Sequence, residues 1–76
     1  PFKGETMIGF NLPQAADATI TINDVTGKVL TVMHHDGVKG YNSIVVDAKD
    51  LPTAGVLTYT VKTGEYAATK KMVISK

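Results

Sequence analysis

The stretch Ala18-Thr19-Ile20-Thr21-Ile22-Asn23-Asp24-Val25-Thr26-Gly27-Lys28 decides which class of fold this chain can adopt. Isoleucine alternates with threonine at the period of two that is typical of a β-strand with one buried face. Asp24 can then accept hydrogen bonds from backbone amides ahead of it, and Gly27 can take the positive φ that closes a turn. The stretch therefore predicts a strand with apolar residues inward, followed by a tight turn.

The same alternation recurs along the chain and predicts further strands over residues 6–12, 28–34, 41–47, 56–62 and 65–75. The residues expected to face the core in these strands are Ile8, Phe10, Leu12, Leu30, Val32, Ile44, Val46, Leu57, Tyr59 and Val61. Six to seven short antiparallel strands with turn residues between them predict an all-β fold, a small immunoglobulin-like β-sandwich. A closed barrel is the alternative.

Three connecting segments carry expectations of their own. His34 to Gly40 is expected to form a polar loop or wide turn, with Gly40 at its end. Residues 47–55 form the longest stretch without strand character, a corner that contains Pro52 and Gly55. Leu51 is expected to tuck under this corner and plug one end of the core.

Length and composition indicate one small domain, residues 1–76, of modest stability. A chain of 76 residues buries only about 60% of the surface that its unfolded form exposes. Since it contains no cysteine, neither a disulfide nor a thiolate metal site can stabilise it. Its first residues lack the basic segment and apolar stretch of a signal peptide. We interpret the chain as part of a longer secreted protein, cut close to a domain boundary.

Charge is distributed unevenly along the chain. Residues 1–54 hold four lysines against six acids, a net −2, whereas residues 55–76 hold four lysines against one acid, a net +3. Lysines on a terminal edge strand discourage sheet-to-sheet aggregation. Lys70 falls on the more apolar parity of that strand, so either its stem reaches out to water or a bulge changes the parity near Lys71. Nucleic-acid binding is not expected, because there is no arginine and no interleaving of aromatic and basic residues.

Candidate catalytic and metal-binding residues form no recognised constellation. The adjacent His34 and His35 would point to opposite faces of a strand, so we expect exposed loop histidines and not a metal site. The aspartates stand at turns and strand ends, where they ordinarily cap backbone amides. No cofactor is expected, and the chain is interpreted as non-enzymatic. Its tyrosines are expected to pack at the rim of the core, or alternatively to offer a platform for sugars.

A resemblance extends over the whole chain. It is carried by Pro1-Phe2, Thr6 to Pro13, Ile22 to Val29, Gly40-Tyr41-Asn42, Ala54 to Tyr59 and Lys70 to Val73, in that order. These segments resemble the C-terminal sorting domain of the type IX secretion system, type A subclass. Two positions depart from the family pattern, since Asn23 and Leu57 stand where the family often has aromatic residues. The immunoglobulin-like module of flagellar hook-capping proteins has a similar pattern.

The resemblance implies a non-catalytic signal domain. Such domains direct cargo of Bacteroidetes-type bacteria from the periplasm across the outer membrane, so the cargo would be secreted or at the cell surface. The implied partners are the outer-membrane translocon, a surface sortase that usually removes the domain, and the N-terminal cargo domains. The alternative function is an adhesive or carbohydrate-binding module of a surface enzyme.

The terminal hairpin is the segment expected to be recognised by the secretion machinery. The residues expected to carry this recognition are Gly55, Val56, Tyr59, Gly64, Lys70, Lys71 and Lys76. Unpaired backbone groups of an edge hairpin can accept a partner strand, and the lysines would attract an acidic surface. Asp24, Gly27 and Gly40 are expected to be structural turn residues. The exposed hairpin could also exchange between two copies and form a homodimer.

Overall fold

The computed structural model describes residues 4–51 and 54–75. Six strands and one 3₁₀ turn follow one another along the chain: β1 Glu5–Leu12, β2 Ala16–Asn23, β3 Val29–Gly37, β4 Gly40–Asp47, the 3₁₀ turn Ala48–Asp50, β5 Gly55–Lys62 and β6 Ala67–Ile74. The all-β prediction is confirmed. Within the described residues, no helix has the length and apolar character needed to cross a membrane.

The strands form two antiparallel sheets, one of two strands in the order β1-β4 and one of four strands in the order β3-β2-β5-β6. In immunoglobulin nomenclature, the four-stranded sheet has the order C′-C-F-G and the two-stranded sheet is the B-E pair. Buried residues of both sheets form a single cluster. The molecule is therefore a small β-sandwich, and the immunoglobulin-like prediction agrees with this strand order.

The core contains the alternating residues that the sequence predicted. Ile20 and Ile22 of β2 are both 0% exposed, and Leu51 is 1% exposed under the corner after β4. The remaining buried apolar residues are Ile8, Phe10, Leu12, Ala18, Val46, Ala48, Leu57, Val61 and Ile74. Apolar burial of this kind contributes roughly 25 cal/mol per Å² removed from water. The plug at the corner is thus confirmed, while Pro52 lies outside the described residues.

The turn after β2 forms by the predicted mechanism. The Asp24 carboxylate accepts hydrogen bonds from the backbone amides of Thr26 (2.8 Å) and Lys28 (3.0 Å). Gly27 adopts a φ of +90°, which favours glycine because it has no Cβ. Gly40, at +92°, closes the turn between β3 and β4 in the same way. Asp24, Gly27 and Gly40 therefore lie at turns, as expected.

Strand β3 differs from the prediction in its facing and in its length. The register between β2 and β3 shifts between Ile22 and Asn23, because β3 has one extra residue at this point. This bulge reverses which side chains of β3 face the core. Met33, opposite Ile20, consequently packs against the core, whereas Val32 is 49% exposed. The inward assignment of Val32 was wrong.

The polar loop expected from His34 to Gly40 is shorter than predicted, because β3 continues to Gly37 and both histidines lie on this strand. Their rings belong to opposite faces, as expected for adjacent strand residues. His34 is exposed, but His35 is half-buried. The His35 ring packs edge-on against Phe10, with 5.9 Å between ring centroids. His35 is therefore part of the rim of the core and not an exposed loop residue.

The last strand alternates without interruption. Its register with β5 runs continuously from Gly55 opposite Ile74 to Lys62 opposite Ala67. The bulge considered near Lys71 is therefore absent from the described strand. Lys70 faces the inner side of the sheet opposite Tyr59 and is nevertheless exposed. An exposed lysine on the apolar side of a strand keeps its ammonium group in water.

Candidate functional site

The terminal hairpin consists of β5, β6 and the loop between them. Two bonds close this loop: the Thr63 amide donates to the Tyr66 carbonyl (2.8 Å), and the Tyr66 amide donates to the Thr63 hydroxyl (3.1 Å). On the outer face, the hydroxyls of Thr60 and Thr69 are 2.8 Å apart. These bonds hold β6 in fixed register on β5.

Strand β6 lies at one edge of the four-stranded sheet. Within residues 4–51 and 54–75, β5 is its sole partner strand. Antiparallel pairing uses alternate backbone groups, so about half of the N–H and C=O groups of β6 point away from the sheet. This free edge can accept an added strand.

The two lysines of β6 flank this edge on opposite sides. Lys70 lies opposite Tyr59 on the inner face, and Lys71 lies opposite Thr58 on the outer face. Both side chains are exposed. They therefore do not form one patch on one face but place a positive charge on each side of the free strand edge. Lys76, the third lysine of the expected patch, lies outside the described residues.

The other residues expected to contribute to recognition occupy different environments. Val56 is 44% exposed on the outer face, and Tyr59 is half-buried against the core. Gly55 starts β5 with a φ of +103°, a conformation that favours glycine. Gly64 does not adopt a positive φ, so its place in the loop does not depend on the conformational freedom of glycine. The fold brings Gly55, Val56, Tyr59, Lys70 and Lys71 together on one hairpin, with Gly64 at its tip.

Asn42 is a structural residue whose role the sequence did not reveal. Its side chain is 3% exposed and accepts hydrogen bonds from the Val38 amide (2.9 Å) and the His35 ring (3.1 Å). It also donates to the carbonyls of Val38 and Gly40, both at 3.0 Å. Asn42 therefore fixes the turn by which the chain crosses from one sheet to the other. Its position directly after Gly40-Tyr41 in a G-Y-N triplet was the available signal.

Tyr41 differs from the expectation that tyrosines pack at the rim of the core. Its side chain is 66% exposed on the outer face of the two-stranded sheet. A Cβ added at Gly9 would collide with the Tyr41 hydroxyl, so the ring lies directly over this glycine. Covering a strand glycine with a cross-strand aromatic ring shields the backbone and compensates for the missing side chain. Tyr59 and Tyr66 do pack against the core.

No group of three histidine, cysteine, aspartate or glutamate side chains in the described part of the chain could hold a metal ion. The Asp24 carboxylate accepts a bond from the Thr26 hydroxyl (2.6 Å), which is the main cause that holds the pKa of Asp24 below its ordinary value of 3.8. Backbone amides and the charge of Lys28 act in the same direction. This shift reflects turn formation, since Thr26 and Lys28, which cause it, belong to the same turn as Asp24.

Comparison with known proteins places the chain in a family. Neither the curated proteins nor the solved structures contain a match to it. The family model of the secretion system C-terminal sorting domain matches residues 1–75, essentially the whole chain. This match confirms the resemblance carried by the sequence motifs. The chain belongs to the C-terminal sorting domains of the type IX secretion system, which send their cargo across the outer membrane to the cell surface or the medium.

Proposed function

We propose that this domain, residues 1–76, is the C-terminal part of a longer secreted protein. We also propose that the translocon recognises the β5–β6 hairpin. Members of its family are in general non-catalytic, so the domain acts as a ligand of the secretion machinery. After export, a surface sortase separates the cargo from the domain. The observation that carries this proposal is the free edge of β6 with an exposed lysine on each side.

The backbone of β6 supplies the first part of the recognition. A translocon strand that pairs with β6 gains main-chain hydrogen bonds over the length of the strand, as in other complexes formed by strand addition. The loop bonds at Thr63 and the packing of Ile74, which is 2% exposed, keep the two ends of β6 in place. A preorganised edge loses less conformational entropy on binding than a disordered tail.

Electrostatic attraction supplies the second part. Residues 55–75 carry three lysines and one acid, whereas residues 1–54 carry a net −2. An acidic partner surface is therefore attracted to the hairpin end of the domain and repelled by the rest. Such complementarity mainly raises the rate of encounter and fixes orientation. Tyr59 lies opposite Lys70 on the inner face of the hairpin, and Val56 contributes exposed apolar surface.

The proposal is tested by charge reversal in a reporter that carries residues 1–76 at its C-terminus, expressed in a bacterium with a type IX system. K70E/K71E removes the positive charges beside the free edge. K28E/K39E is the matched control, because both lysines are exposed and the net charge falls equally, from +1 to −3. We expect K70E/K71E to reduce the exported fraction at least about fivefold, as weakened steering lowers encounter rates by ten-fold or more, and K28E/K39E to export normally.

Folding of both variants is compared by urea denaturation. If K70E/K71E is folded and exported as well as K28E/K39E, the electrostatic part of the proposal is wrong. A reporter that exports normally but keeps its domain at the cell surface would contradict the proposed sortase step. Exchange of the hairpin between two copies predicts a dimer, which sedimentation of the purified domain would reveal.

A further inference from the structure

Strand β3 is the second free edge of the four-stranded sheet. In the strand order β3-β2-β5-β6, β2 is its sole partner among residues 4–51 and 54–75. With nine residues, Val29–Gly37, it is also the longest strand that the structure describes. Antiparallel pairing with β2 occupies alternate backbone groups, so about half of the N–H and C=O groups of β3 point away from the sheet. These groups can accept another strand on the side of the sheet opposite to β6.

The edge of β3 lacks the residues that usually keep a free strand edge unpaired. Such edges commonly carry lysine or proline. β6 follows this rule with Lys70 and Lys71, whereas Val29–Gly37 contains neither residue type, and Asp36 near its end is its one formally charged residue. The bulge in β3 lies near its start, and the register with β2 is continuous from Thr31 to Gly37. Most of this edge is therefore regular and open to pairing.

Apolar side chains lie along this edge on both faces of the sheet. Val32 is 49% exposed on the outer face, and Val29, at the start of the strand, is 52% exposed. On the inner face, Leu30 and Met33 pack against the core but are only half-buried. A strand added beside β3 would remove apolar surface from water on both faces, which favours pairing.

The distribution of charge indicates that a second copy of this chain fits the edge. A two-fold axis perpendicular to the sheet pairs β3 with β3 of the second copy in antiparallel orientation and keeps the outer faces of both sheets on the same side. With Met33 on the axis, Val32 lies opposite His34 of the second copy, and Asp36 lies opposite Leu30. The two Asp36 residues are then about 20 Å apart at 3.3 Å per residue, well beyond the screening length of about 8 Å at physiological ionic strength. Their repulsion therefore does not oppose this pairing.

The same two-fold pairing is unfavourable at the other edge of the sheet. If β6 paired with β6 of a second copy, Lys70 and Lys71 in the middle of the strand would lie beside the same lysines of that copy. Like charges directly opposite on neighbouring strands are destabilising. Of the two free edges, β3 is therefore the one at which two copies can pair symmetrically.

We infer that this chain forms a two-fold dimer in which β3 pairs with β3 of a second copy and the two four-stranded sheets become one continuous sheet of eight strands. The Met33 side chains of the two copies meet on the inner face at the axis and extend the apolar core across it. One strand pair belongs to the small end of specific interfaces, below about 1,200 Å² in total. The dimer therefore forms at micromolar concentrations and is not permanent.

This dimer leaves the terminal hairpin unchanged. β5 and β6 keep their partners within each copy, in contrast to a dimer made by exchange of the hairpin. The edge of β6 also remains free, so dimerisation and recognition by the translocon are compatible. The inference does not depend on the proposed function, because it concerns the other edge of the sheet and is tested on purified protein.

Sedimentation equilibrium of the purified chain tests dimerisation. V32K places a lysine on the β3 edge, twice in each dimer, and should weaken dimerisation at least about tenfold. V45K is the matched control, because Val45 is 56% exposed on the outer face of the other sheet and the net charge rises equally, from +1 to +2. It should dimerise as the unsubstituted chain does. Urea denaturation establishes that both variants are folded.

Cross-linking through single cysteines identifies the edges that meet. The chain has no cysteine, so V32C and V73C each carry one thiol on the outer face of an edge strand, at positions that are 49% and 38% exposed. With a short reagent that joins two thiols, we expect V32C to form covalent dimers and V73C to remain monomeric. A mixture of V32C and V73C should contain no mixed dimer.

Four results would overturn the inference. The first is an unsubstituted chain that is monomeric at about 1 mM, where a micromolar dimer is almost completely formed. The second is equal dimerisation of folded V32K and V45K. Covalent dimers of V73C would mean that the β6 edges meet. Mixed dimers of V32C and V73C would mean that copies join head to tail, β3 to β6, in an open chain.

Discussion

Asn42→Ala is the substitution whose effect on stability follows most directly from the structure. The side chain satisfies three backbone groups of the β3–β4 turn: the Val38 amide, the Val38 carbonyl and the Gly40 carbonyl. Each hydrogen bond contributes about 1 kcal/mol net, and a buried group left without a partner costs about 1–3 kcal/mol. Val38 itself is 55% exposed, so water replaces part of what is lost. We expect the free energy of unfolding to fall by about 2–3 kcal/mol.

The assay is urea denaturation followed by circular dichroism. A domain of 76 residues has a stability of roughly 4–11 kcal/mol at the usual 0.05–0.15 kcal/mol per residue. With an m-value of about 1 kcal/mol/M, the transition midpoint should fall by about 2–3 M while the slope is unchanged. Ser43→Ala is the matched control, because Ser43 is the next residue and its exposed side chain lies on the other face. If Asn42→Ala lowered stability no more than Ser43→Ala, the reasoning that Asn42 fixes this turn would be refuted.

Three further substitutions test the fold. Gly37→Ala should destabilise the domain by more than Gly9→Ala, because a Cβ at Gly37 would lie 2.6 Å from the Ala16 carbonyl oxygen, whereas Gly9 meets the movable end of Tyr41; equal urea midpoints would contradict this. Leu51→Ala should cost about 2–5 kcal/mol in the same assay, as a large-to-small change in a core does, and a loss below 1 kcal/mol would show that Leu51 is not the plug of the core. Asp24→Asn should be less stable than the natural chain at neutral pH, and the difference should shrink as the pH falls through and below 3.8. The sign follows because a depressed native pKa stabilises the folded state only while the carboxylate is ionised; a difference that does not change with pH would contradict it.

The sequence predicted those features of the fold that depend on local pattern. Alternation placed Ile8, Phe10, Ile20 and Ile22 in the core, where they are at most 7% exposed. The Asp24 turn needed only the chemistry of five consecutive residues. Both signals are local, because strand period and turn type are set by neighbours along the chain.

The features that depend on a partner strand were not predicted. The bulge that reverses the facing of Val32 arises from pairing between β2 and β3, which alternation in one strand does not encode. In the sequence, Asn42 resembles an ordinary polar strand residue. Only the folded turn brings Val38 within hydrogen-bonding distance of it. The opposite facing of Lys70 and Lys71 was implied by their adjacency. Their placement at an edge was expected for the terminal strand, and the strand order agrees with it.

The hairpin that we propose for recognition was predicted only in part. The resemblance to sorting domains pointed to the terminal hairpin, and the fold places that hairpin at a sheet edge. The overhang of β6 beyond β1 could not be anticipated, since it depends on how many strands each sheet receives. A prediction of strands without their assignment to sheets cannot reveal this difference between the sheets.

Export of a reporter is the measurement that tests the central claim most directly. Residues 1–76 are fused to the C-terminus of a periplasmic reporter and expressed with and without a working type IX system, beside a fusion that lacks Ala67–Ile74 and the residues after it. The account predicts reporter at the cell surface or in the medium only with the intact domain and the working system. A folded, intact domain that leaves its reporter in the periplasm of the competent strain would contradict the account.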